Sequence, residues 1–180
     1  NLLTGKLEPD AGRVRLGANV EMAALDQSRA ALDPADAVAN FLTGGGGDWI
    51  EIAGKKKHVV GYMQDFPFRP EQARTPVSRL SGGERARLML ARALALPSNF
   101  LVLDEPNSNL DREGEEALAN AIGRLKAEGC AIVIVTHRQN LLVAVDKLVV
   151  LRDGVVMLAG ERAAVLERLQ KSEGPRRIPD

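Results

Sequence analysis

The chain has 180 residues, 45% of them hydrophobic, and its 24 Lys and Arg residues balance its 24 Asp and Glu residues. This length and hydrophobic content allow one domain with a substantial core, and the zero net charge excludes a global field that would attract nucleic acid or membranes. No apolar run reaches the length of a membrane-spanning helix and no signal peptide is visible, so we expect no membrane insertion.

The first part of the chain shows weak patterns. Residues 1–12, "NLLTGKLEPDAG", resemble the end of a helix that is already under way, which predicts an amino-terminal truncation. Two short strands are predicted next, "GRVRLG" and "VEMAALDQ". Residues 28–79 are mixed, with four glycines at 44–47 and a basic cluster, "KKKH", at 55–58. Because no aromatic residue interleaves with these lysines, the cluster fits a solvated loop better than an RNA contact.

The second part alternates between helices and strands. The predicted elements are a helix over 82–96, a strand over 100–103, a helix over about 112–127 that Gly129 ends, a buried strand "CAIVIVT", a short helix over 140–145, a hairpin with Asp-Gly at its turn, and a helix over 161–171. Cys130, the single cysteine, lies in that buried strand, and we expect a reduced core thiol in a cytoplasmic protein. The alternation predicts an α/β fold with a mostly parallel sheet.

Two adjacent acids end the first of these strands. In "FLVLDEPNSNLD", residues 100–111, four apolar residues run directly into Asp104 and Glu105. Open α/β sheets bind ligands at the carboxyl ends of their strands, and side chains alternate along a strand, so we expect the acids at a ligand site and facing opposite sides. One acid could hold a metal ion while the other orients a water molecule. Taken alone, the run also fits a strand that ends in polar residues.

The segment "LSGGE", residues 80–84, opens the predicted helix. Ser81 and Glu84 have the spacing of a capping box, and Gly82 and Gly83 leave the first turn as bare backbone. The unpaired N–H groups and partial positive charge of such a turn favour a phosphate. A well-capped helix after a tight loop is the structural alternative.

Two further polar residues follow predicted strands. His137 comes after "AIVIVT", where it could contact a terminal phosphate or an attacking water. Gln27 ends "VEMAAL", where its amide could bind a metal ion or a water. Either residue alone carries little information, whereas the order and spacing of all the motifs carry much more.

In this order the motifs resemble the nucleotide-binding domain of ABC-type ATPases. "LSGGE" matches the ABC signature, "FLVLDE" the Walker B strand, "SNLD" the D-loop, "VTHR" the switch histidine and "LDQ" the Q-loop, so the resemblance covers nearly the whole chain. It implies a RecA-like (P-loop NTPase type) α/β core with an inserted helical subdomain. It also implies two domains that enclose ATP between the P-loop of one and the signature of the other.

The resemblance implies catalytic roles at the strand ends. Asp104 would organise Mg²⁺, and Gln27 would sense and help to bind the metal. Glu105 would be the general base or would position the attacking water. His137 would steady the γ-phosphate and that water.

It also implies an interface role for the signature. Ser81, Gly82 and Gly83 would contact the γ-phosphate of ATP held by a partner domain. Asp111 would cross the dimer interface, and it could also cap the next helix.

The P-loop pattern GxxxxGK[ST] is absent from the 180 residues. The pairs Gly5-Lys6 and Gly54-Lys55 are not followed by Ser or Thr. Since residues 1–12 resemble the segment that comes after a P-loop helix, we expect the loop just upstream of Asn1. We also expect the chain alone to be inactive, because it lacks the phosphate cradle and its lysine.

The subfamily signal differs along the chain. Residues up to about Leu103 resemble ABC-F proteins, soluble tandem ATPases of which many act at the ribosome. From "LDEPNSNLD" through "THRQNLLVAVDKLVVLRDG" the chain is more similar to exporter ATPases, especially those of type I secretion. The chain is therefore either a divergent member or a join of two related sequences.

Two functions stay open on the sequence. In the first, the chain is a single ABC domain that lacks its start, and it binds and hydrolyses ATP with Mg²⁺ to drive a conformational cycle. Its partners are a second ABC domain and either a ribosome or a membrane transporter subunit. Residues 28–96 would then form the helical subdomain and signature helix, 97–171 the core, and 172–180 a flexible tail. In the second, the chain is a non-catalytic half that only donates its signature surface or binds a partner.

Overall fold

A computed structural model describes residues 2–5, 7–25, 33–52 and 54–172. The helices and strands are, in chain order, β1 (Met22–Leu25), α1 (Val38–Thr43), β2 (Trp49–Ile52), β3 (Lys55–His58), α2 (Val59–Gln64), α3 (Gly82–Leu94), β4 (Phe100–Asp104), α4 (Arg112–Ala127), β5 (Ala131–Val135), β6 (Lys147–Arg152), β7 (Val155–Glu161) and α5 (Arg162–Ser172). Short 3₁₀ helices lie at Pro70–Arg74, Val77–Arg79 and Gln139–Ala144. The chain divides into two compact units, Asn1–His137 and Arg138–Asp180.

A parallel sheet forms the centre of the first unit, as the sequence predicted. In the part of the chain that the structure describes, its strand order is β1-β4-β5, and β4 runs parallel to both neighbours. Leu101, Val102 and Leu103 of β4 are buried in succession, and since side chains alternate along a strand, both faces of β4 are covered there. Polar groups of the backbone are satisfied by the ladders, so this apolar run can be buried at little cost.

The predicted strand "GRVRLG" is wrong. Residues 13–17 are irregular, and Val14 and Leu16 are both 44% exposed. Their apolar-polar alternation fits a strand, but a strand needs a partner for its backbone N–H and C=O groups. No described strand pairs with these residues.

The predicted strand "CAIVIVT" forms as β5, but the prediction that it is buried is wrong. Val135 is 53% exposed and the three residues before it are half-buried. One edge of β5 pairs with β4, and no described strand pairs with its other edge. Cys130, expected in the core, is likewise half-buried, and this burial raises the pKa of its thiol, although a hydrogen bond with Ser98 opposes the effect.

Helix α3 ends two residues before the predicted end and carries the apolar side that packs in the core. Its buried residues include Leu88, Ala91 and Leu94. The Tyr62 hydroxyl of α2 donates to the carbonyl of Ala91 at 2.7 Å, and its burial raises the pKa of that hydroxyl. Pro97 follows the helix closely and cannot continue it.

Helix α4 has the predicted bounds. Asp111 caps its first turn, Leu118 and Ile122 are buried, and Gly129 follows with a φ of +85°. A left-handed residue at this position is available to glycine without strain and ends the helix.

The basic cluster is strand β3 and not a loop, so that prediction is wrong. It pairs antiparallel with β2, which places His58 opposite Trp49. The two rings meet edge to face with centroids 5.3 Å apart. Strand pairing therefore places an aromatic residue, Trp49, beside the cluster, although the two are not adjacent in the sequence.

Asp65 connects three elements of the first unit. Its Oδ2 accepts from Lys57 Nζ of β3 at 2.7 Å and from Arg124 Nη1 of α4 at 2.6 Å, and Asp65 itself ends α2. Burial alone would raise the pKa of this carboxyl, but the hydrogen bonds from Lys57 and Arg124 outweigh it and lower the pKa. The carboxylate therefore stays ionised between its two cations.

The second unit contains the predicted hairpin and the last helix. Strands β6 and β7 pair antiparallel, and the turn residues Asp153 and Gly154 have φ of +51° and +77°. Two such residues in succession are typical of a type I′ turn, which matches the twist of a hairpin. Val165 of α5 is buried, and the predicted short helix over 140–145 is the 3₁₀ helix Gln139–Ala144. No helix in the described ranges is long and apolar enough to cross a bilayer.

We expect Asp65→Asn to lower the free energy of unfolding by about 1–2 kcal/mol at neutral pH, because it weakens two charge-assisted hydrogen bonds. The pKa of Asp65 is lower in the folded chain than in the unfolded chain, so the ionised carboxylate stabilises the fold above the unfolded value of about 3.9. This contribution is lost as the pH falls through the folded pKa. The unfolding curves of the wild type and of Asp65→Asn in urea should therefore converge in acid.

Glu116→Gln is the matched control. Glu116 pairs with Arg112 on the surface of α4, and both side chains are exposed. We expect this change to alter the free energy of unfolding by less than about 0.5 kcal/mol. A greater loss for Glu116→Gln than for Asp65→Asn would contradict the assigned role of Asp65.

Candidate functional site

Glu105 and His137 meet where β4 and β5 end. The register of the two strands pairs Asp104 with Val135, and the Glu105 N–H extends the ladder by donating to the Val135 carbonyl at 2.8 Å. His137 lies two residues after Val135. Its N–H donates to Glu105 Oε1 at 3.2 Å, and its Nδ1 lies 2.7 Å from the same oxygen. Parallel pairing thus brings together an acid and an imidazole that are 32 residues apart.

The two side chains differ in their access to solvent. The His137 side chain is 80% exposed, whereas that of Glu105 is 29% exposed. Hydrogen bonding to a carboxylate favours a proton on Nδ1, which leaves Nε2 of the imidazole to face a ligand. The imidazole is therefore accessible, and the carboxylate lies partly covered beside it.

The backbone at Glu105 is left-handed, with a φ of +46°. For a residue with a side chain this conformation costs about 1–2 kcal/mol, and such strain is often found at functional sites. Strand β4 ends at Asp104, so strand alternation no longer decides where Glu105 points. The turn and the contacts with His137 decide it instead.

Asp104 is the last residue of β4 and is exposed. In the described part of the chain, no group of three or more His, Cys, Asp or Glu residues could hold a metal ion alone. Mg²⁺ usually takes one or two carboxylates and completes its shell with water and phosphate oxygens. A single exposed carboxylate at a strand end therefore fits Mg²⁺ that binds together with a nucleotide. Gln27, the other expected metal ligand, lies outside the described residues.

The first turn of α3 is closed by a reciprocal cap. Ser81 Oγ accepts from the Glu84 N–H at 3.2 Å, and Glu84 Oε2 accepts from the Ser81 N–H at 2.8 Å. Gln72 Nε2 donates to the other oxygen of Glu84 at 2.8 Å. The hydrogen bond from the Ser81 backbone is the main reason that the pKa of Glu84 is lowered. A hydrogen bond with the Ser81 side chain also lowers the pKa of the Glu84 carboxyl, so the Ser81 hydroxyl contacts both the backbone N–H and the carboxylate of Glu84.

The two signature glycines have different surroundings. A Cβ added to Gly82 would meet no heavy atom within 4 Å, whereas one added to Gly83 would lie 2.8 Å from Asp111 Oδ2. Asp111 also caps α4, with its Oδ1 accepting from the Gly114 N–H at 2.9 Å. Gly82 therefore leaves the turn open to solvent, and Gly83 allows the Asp111 carboxylate to approach the helix.

The motifs did not predict a role for Arg87, which lies beside this contact. Its side chain is 7% exposed, and its guanidinium lies 3.4 Å from Asp111 Oδ2 and 2.8 Å from Glu113 Oε2. Residues four apart on a helix share a face, so the spacing of Gly83 and Arg87 was the signal available in the sequence. Any acid that packs on Gly83 would also be close to Arg87.

The predicted site residues therefore form two groups. One contains Asp104, Glu105 and His137 at the end of the sheet. The other is the first turn of α3, where Asp111 packs against Gly83. The structure thus agrees with the expectation that Asp111 caps α4, while its predicted place across an interface stays a prediction.

Comparison with known proteins identifies relatives of the chain. The family model for "ABC transporter" matches residues 1–108. The chain is 44% identical over 153 residues to the ATP-binding protein Uup of Caulobacter vibrioides, covering 85% of this chain and 25% of that protein. It is 45% identical over 141 residues to Uup of Escherichia coli, covering 78% and 22%. It is 38% identical over 133 residues to the energy-dependent translational throttle protein EttA of Escherichia coli, covering 74% and 23%.

The chain thus spans about a quarter of the length of these relatives. They support the resemblance to ABC-F proteins, while the resemblance of the carboxy-terminal part to type I secretion exporters stays a prediction. Among solved structures, a dimeric post-hydrolysis state of the ATP-binding cassette MJ0796 bound to ADP and Pi matches with a TM-score of 0.59 and 21% identity. The match covers 79% of this chain and 63% of that chain, and it confirms the α/β fold that the alternation of strands and helices predicted.

The surroundings of the two glycines predict different effects on stability. We expect Gly82→Ala to raise the free energy of unfolding by at most about 1 kcal/mol, because the space beside Gly82 is open and a helix favours Ala over Gly. Gly83→Ala should lower it by about 1–3 kcal/mol, because Asp111 must move away from the new methyl group. Urea unfolding of both variants measures this. Equal effects would contradict the packing of Asp111 on Gly83.

Proposed function

The chain belongs to the ABC transporter family, and on this premise we propose that it binds and hydrolyses ATP together with a second ABC domain and so drives a conformational cycle. The observation that carries the proposal is the Glu105–His137 pair, 2.7 Å apart at the carboxyl edge of a parallel sheet. Ligands of open α/β sheets bind at this edge. An acid and an imidazole in contact there are suited to handling a water and a phosphate.

In this mechanism Glu105 accepts the proton of the water that attacks the γ-phosphate. His137 donates to Glu105 Oε1 from its backbone N–H and contacts that oxygen with Nδ1, and these two contacts orient the carboxylate. Nε2 of the exposed His137 ring can then accept from the attacking water, or donate to the terminal phosphate when both ring nitrogens carry a proton. Asp104 would hold Mg²⁺, which when bound neutralises part of the phosphate charge.

The first turn of α3 would serve the other half of a shared site. Ser81 is exposed at the start of this turn, Gly82 leaves room for a phosphate, and a helix N-terminus attracts negative charge. The described residues thus offer both a hydrolytic pair and a phosphate-facing turn. The dimeric cassette bound to ADP and Pi supports the view that two such domains act together.

The whole protein would be an ABC-F-like factor that works on the ribosome. The name of EttA assigns that protein to translation, and Uup and EttA both match most of this chain. A membrane transporter subunit is the competing partner, in line with the exporter-like carboxy-terminal part. ATP and a second ABC domain are partners in either case.

We expect Glu105→Gln to slow ATP hydrolysis about 10²–10⁴-fold in a protein that joins these residues to a P-loop segment, because an amide keeps the shape but cannot accept the proton. The Kd for ATP should change by less than about twofold, since the contacts that bind ATP before the reaction are retained. Glu116→Gln, an exposed change on α4, is the matched control and should keep full turnover. Unchanged turnover in Glu105→Gln would remove Glu105 from its assigned role.

The 180 residues alone provide a second control in the same assay. Because they contain no GxxxxGK[ST] cradle, they should hydrolyse no ATP and bind it weakly. No hydrolysis by the P-loop-joined protein, despite a folded state by circular dichroism, would favour the alternative of a non-catalytic half that only donates its signature surface.

Slow hydrolysis also gives a test of the partner class. In the presence of ATP, the P-loop-joined Glu105→Gln protein should accumulate in its ATP-bound state and sediment with ribosomes in a sucrose gradient, while the ADP-bound protein should not. Membrane vesicles in a parallel flotation assay should leave it in solution. If the protein floats with the vesicles and does not sediment with ribosomes, the result would support a membrane transporter subunit as its partner instead.

A further inference from the structure

Arg87 is a buried cation with an unusual set of neighbours. The residue is 5% exposed, its Nη1 donates to Glu113 Oε2 at 2.8 Å and to the Pro67 carbonyl at 3.4 Å, and its guanidinium lies 5.5 Å from the centre of the Phe68 ring. Its Nε is buried and has no hydrogen-bond partner. Burial of a charge is costly and is often matched in stability by an apolar side chain, so stability alone does not account for an arginine here.

The guanidinium lies between the first turns of two helices. On α3, Gly83 is one turn away from Arg87. On α4, Asp111 is the capping residue and Glu113 belongs to the first turn. Asp111 Oδ2 has Arg87 Nη2 at 3.4 Å on one side and the bare Cα of Gly83 on the other. A Cβ on Gly114 would lie 2.9 Å from Arg87 Cγ, so the space around the arginine is filled.

We propose that Arg87 is a positioning residue that holds the Asp111 carboxylate against Gly83, so that the first turn of α3 and the loop before α4 face a bound nucleotide as one rigid surface. Its effect on hydrolysis rests on the proposed function. The contact itself does not, because it is a feature of the fold. Arg87 touches neither Gly82 nor Ser81 in this role and acts through Asp111.

The exposures of the two acids separate this role from a merely structural one. The side chains of Asp111 and Glu113 are 43% and 66% exposed, so water can solvate both when the cation is removed. Arg87→Met fills the same space without charge and should leave the chain folded. Asp111 would then keep its bond to the Gly114 N–H but lose what holds it on Gly83. Glu113 contacts the same guanidinium and has no contact with Gly83, so Glu113→Gln is an internal control.

Arg92 provides a matched control on the same helix. It is half-buried, and its Nη1 donates to the Leu42 carbonyl at 2.7 Å, near the other end of α3. Arg92→Met removes a comparable guanidinium contact far from the signature. Any effect shared by Arg87→Met and Arg92→Met is therefore an effect on helix α3 as a whole.

The first experiment measures ATP hydrolysis in a mixture of this chain with an ABC domain that has a working P-loop and a disabled signature. The wild-type chain should restore hydrolysis, and Gly82→Asp should abolish it by repelling the phosphate. Arg87→Met should lower the restored kcat about tenfold to a hundredfold through misplacement of the surface. The ATP concentration at half-maximal rate should change less than about twofold, since the partner holds the nucleotide. Arg87→Lys should recover part of the loss, and Arg92→Met should match wild type.

Double-mutant cycles complete this test. Arg87→Met and Asp111→Asn should be strongly non-additive in kcat, because each breaks the same contact. Glu113→Gln alone should leave kcat close to that of the wild type. Equal kcat losses for Arg87→Met and Arg92→Met, or additivity with Asp111→Asn, would overturn the proposal.

The second experiment keeps the proposal testable if the mixture shows no hydrolysis, an outcome that would count against the proposed function instead. Amide hydrogen exchange is measured on the chain alone. Arg87→Met should speed exchange at both residues 82–85 and residues 112–115, while Arg92→Met should leave both segments unchanged. Unchanged exchange in Arg87→Met at either segment would overturn the assignment.

Discussion

The in-register parallel pairing of β4 with β5 is the constraint on which the candidate site depends. The pairing fixes Asp104 opposite Val135, continues through the Glu105 N–H, and leaves His137 beside the Glu105 carboxylate. A shift of one residue would turn each side chain of a strand to the other face. A shift that moved Asp104 into the buried position of Leu103 would bury its carboxylate at a high cost, so the core also sets the geometry of the acid and the imidazole.

A second constraint is the close approach of two helix N-termini. Each first turn carries unpaired N–H groups and a partial positive charge, and each is capped by a side chain, Ser81 on α3 and Asp111 on α4. The carboxylate of Asp111 caps α4 and also lies close to the first turn of α3, because Gly83 has no side chain to keep it away. The guanidinium of Arg87 contacts the carboxylates of both Asp111 and Glu113 and partly neutralises their negative charge. The proposed rigidity of this surface follows from how little space remains around the three groups.

The two constraints divide the proposed chemistry between two surfaces. In the proposed function, Asp104, Glu105 and His137 at the end of the sheet would face a nucleotide and its water, while the first turn of α3 would face a phosphate. The proposed function therefore requires a second domain of the same kind. The chain spans about a quarter of the length of its relatives Uup and EttA.

The sequence by itself determined the features whose causes lie within a few residues. The start of α3 follows from Ser81 and Glu84, the start of α4 from Asp111, and the hairpin turn from Asp153 and Gly154, since caps and turns are local hydrogen-bond and backbone effects. The motif spacing likewise identified the family and placed Glu105 and His137 at strand ends. Only the tertiary structure decided what depends on distant partners: residues 13–17 find no described strand to pair with, and β5 is half-exposed. Strand pairing brings Trp49 to the basic strand, and Arg87 is buried against acids more than twenty residues away. Pairing and burial are set by which segments meet in space, and no window of the sequence contains that information.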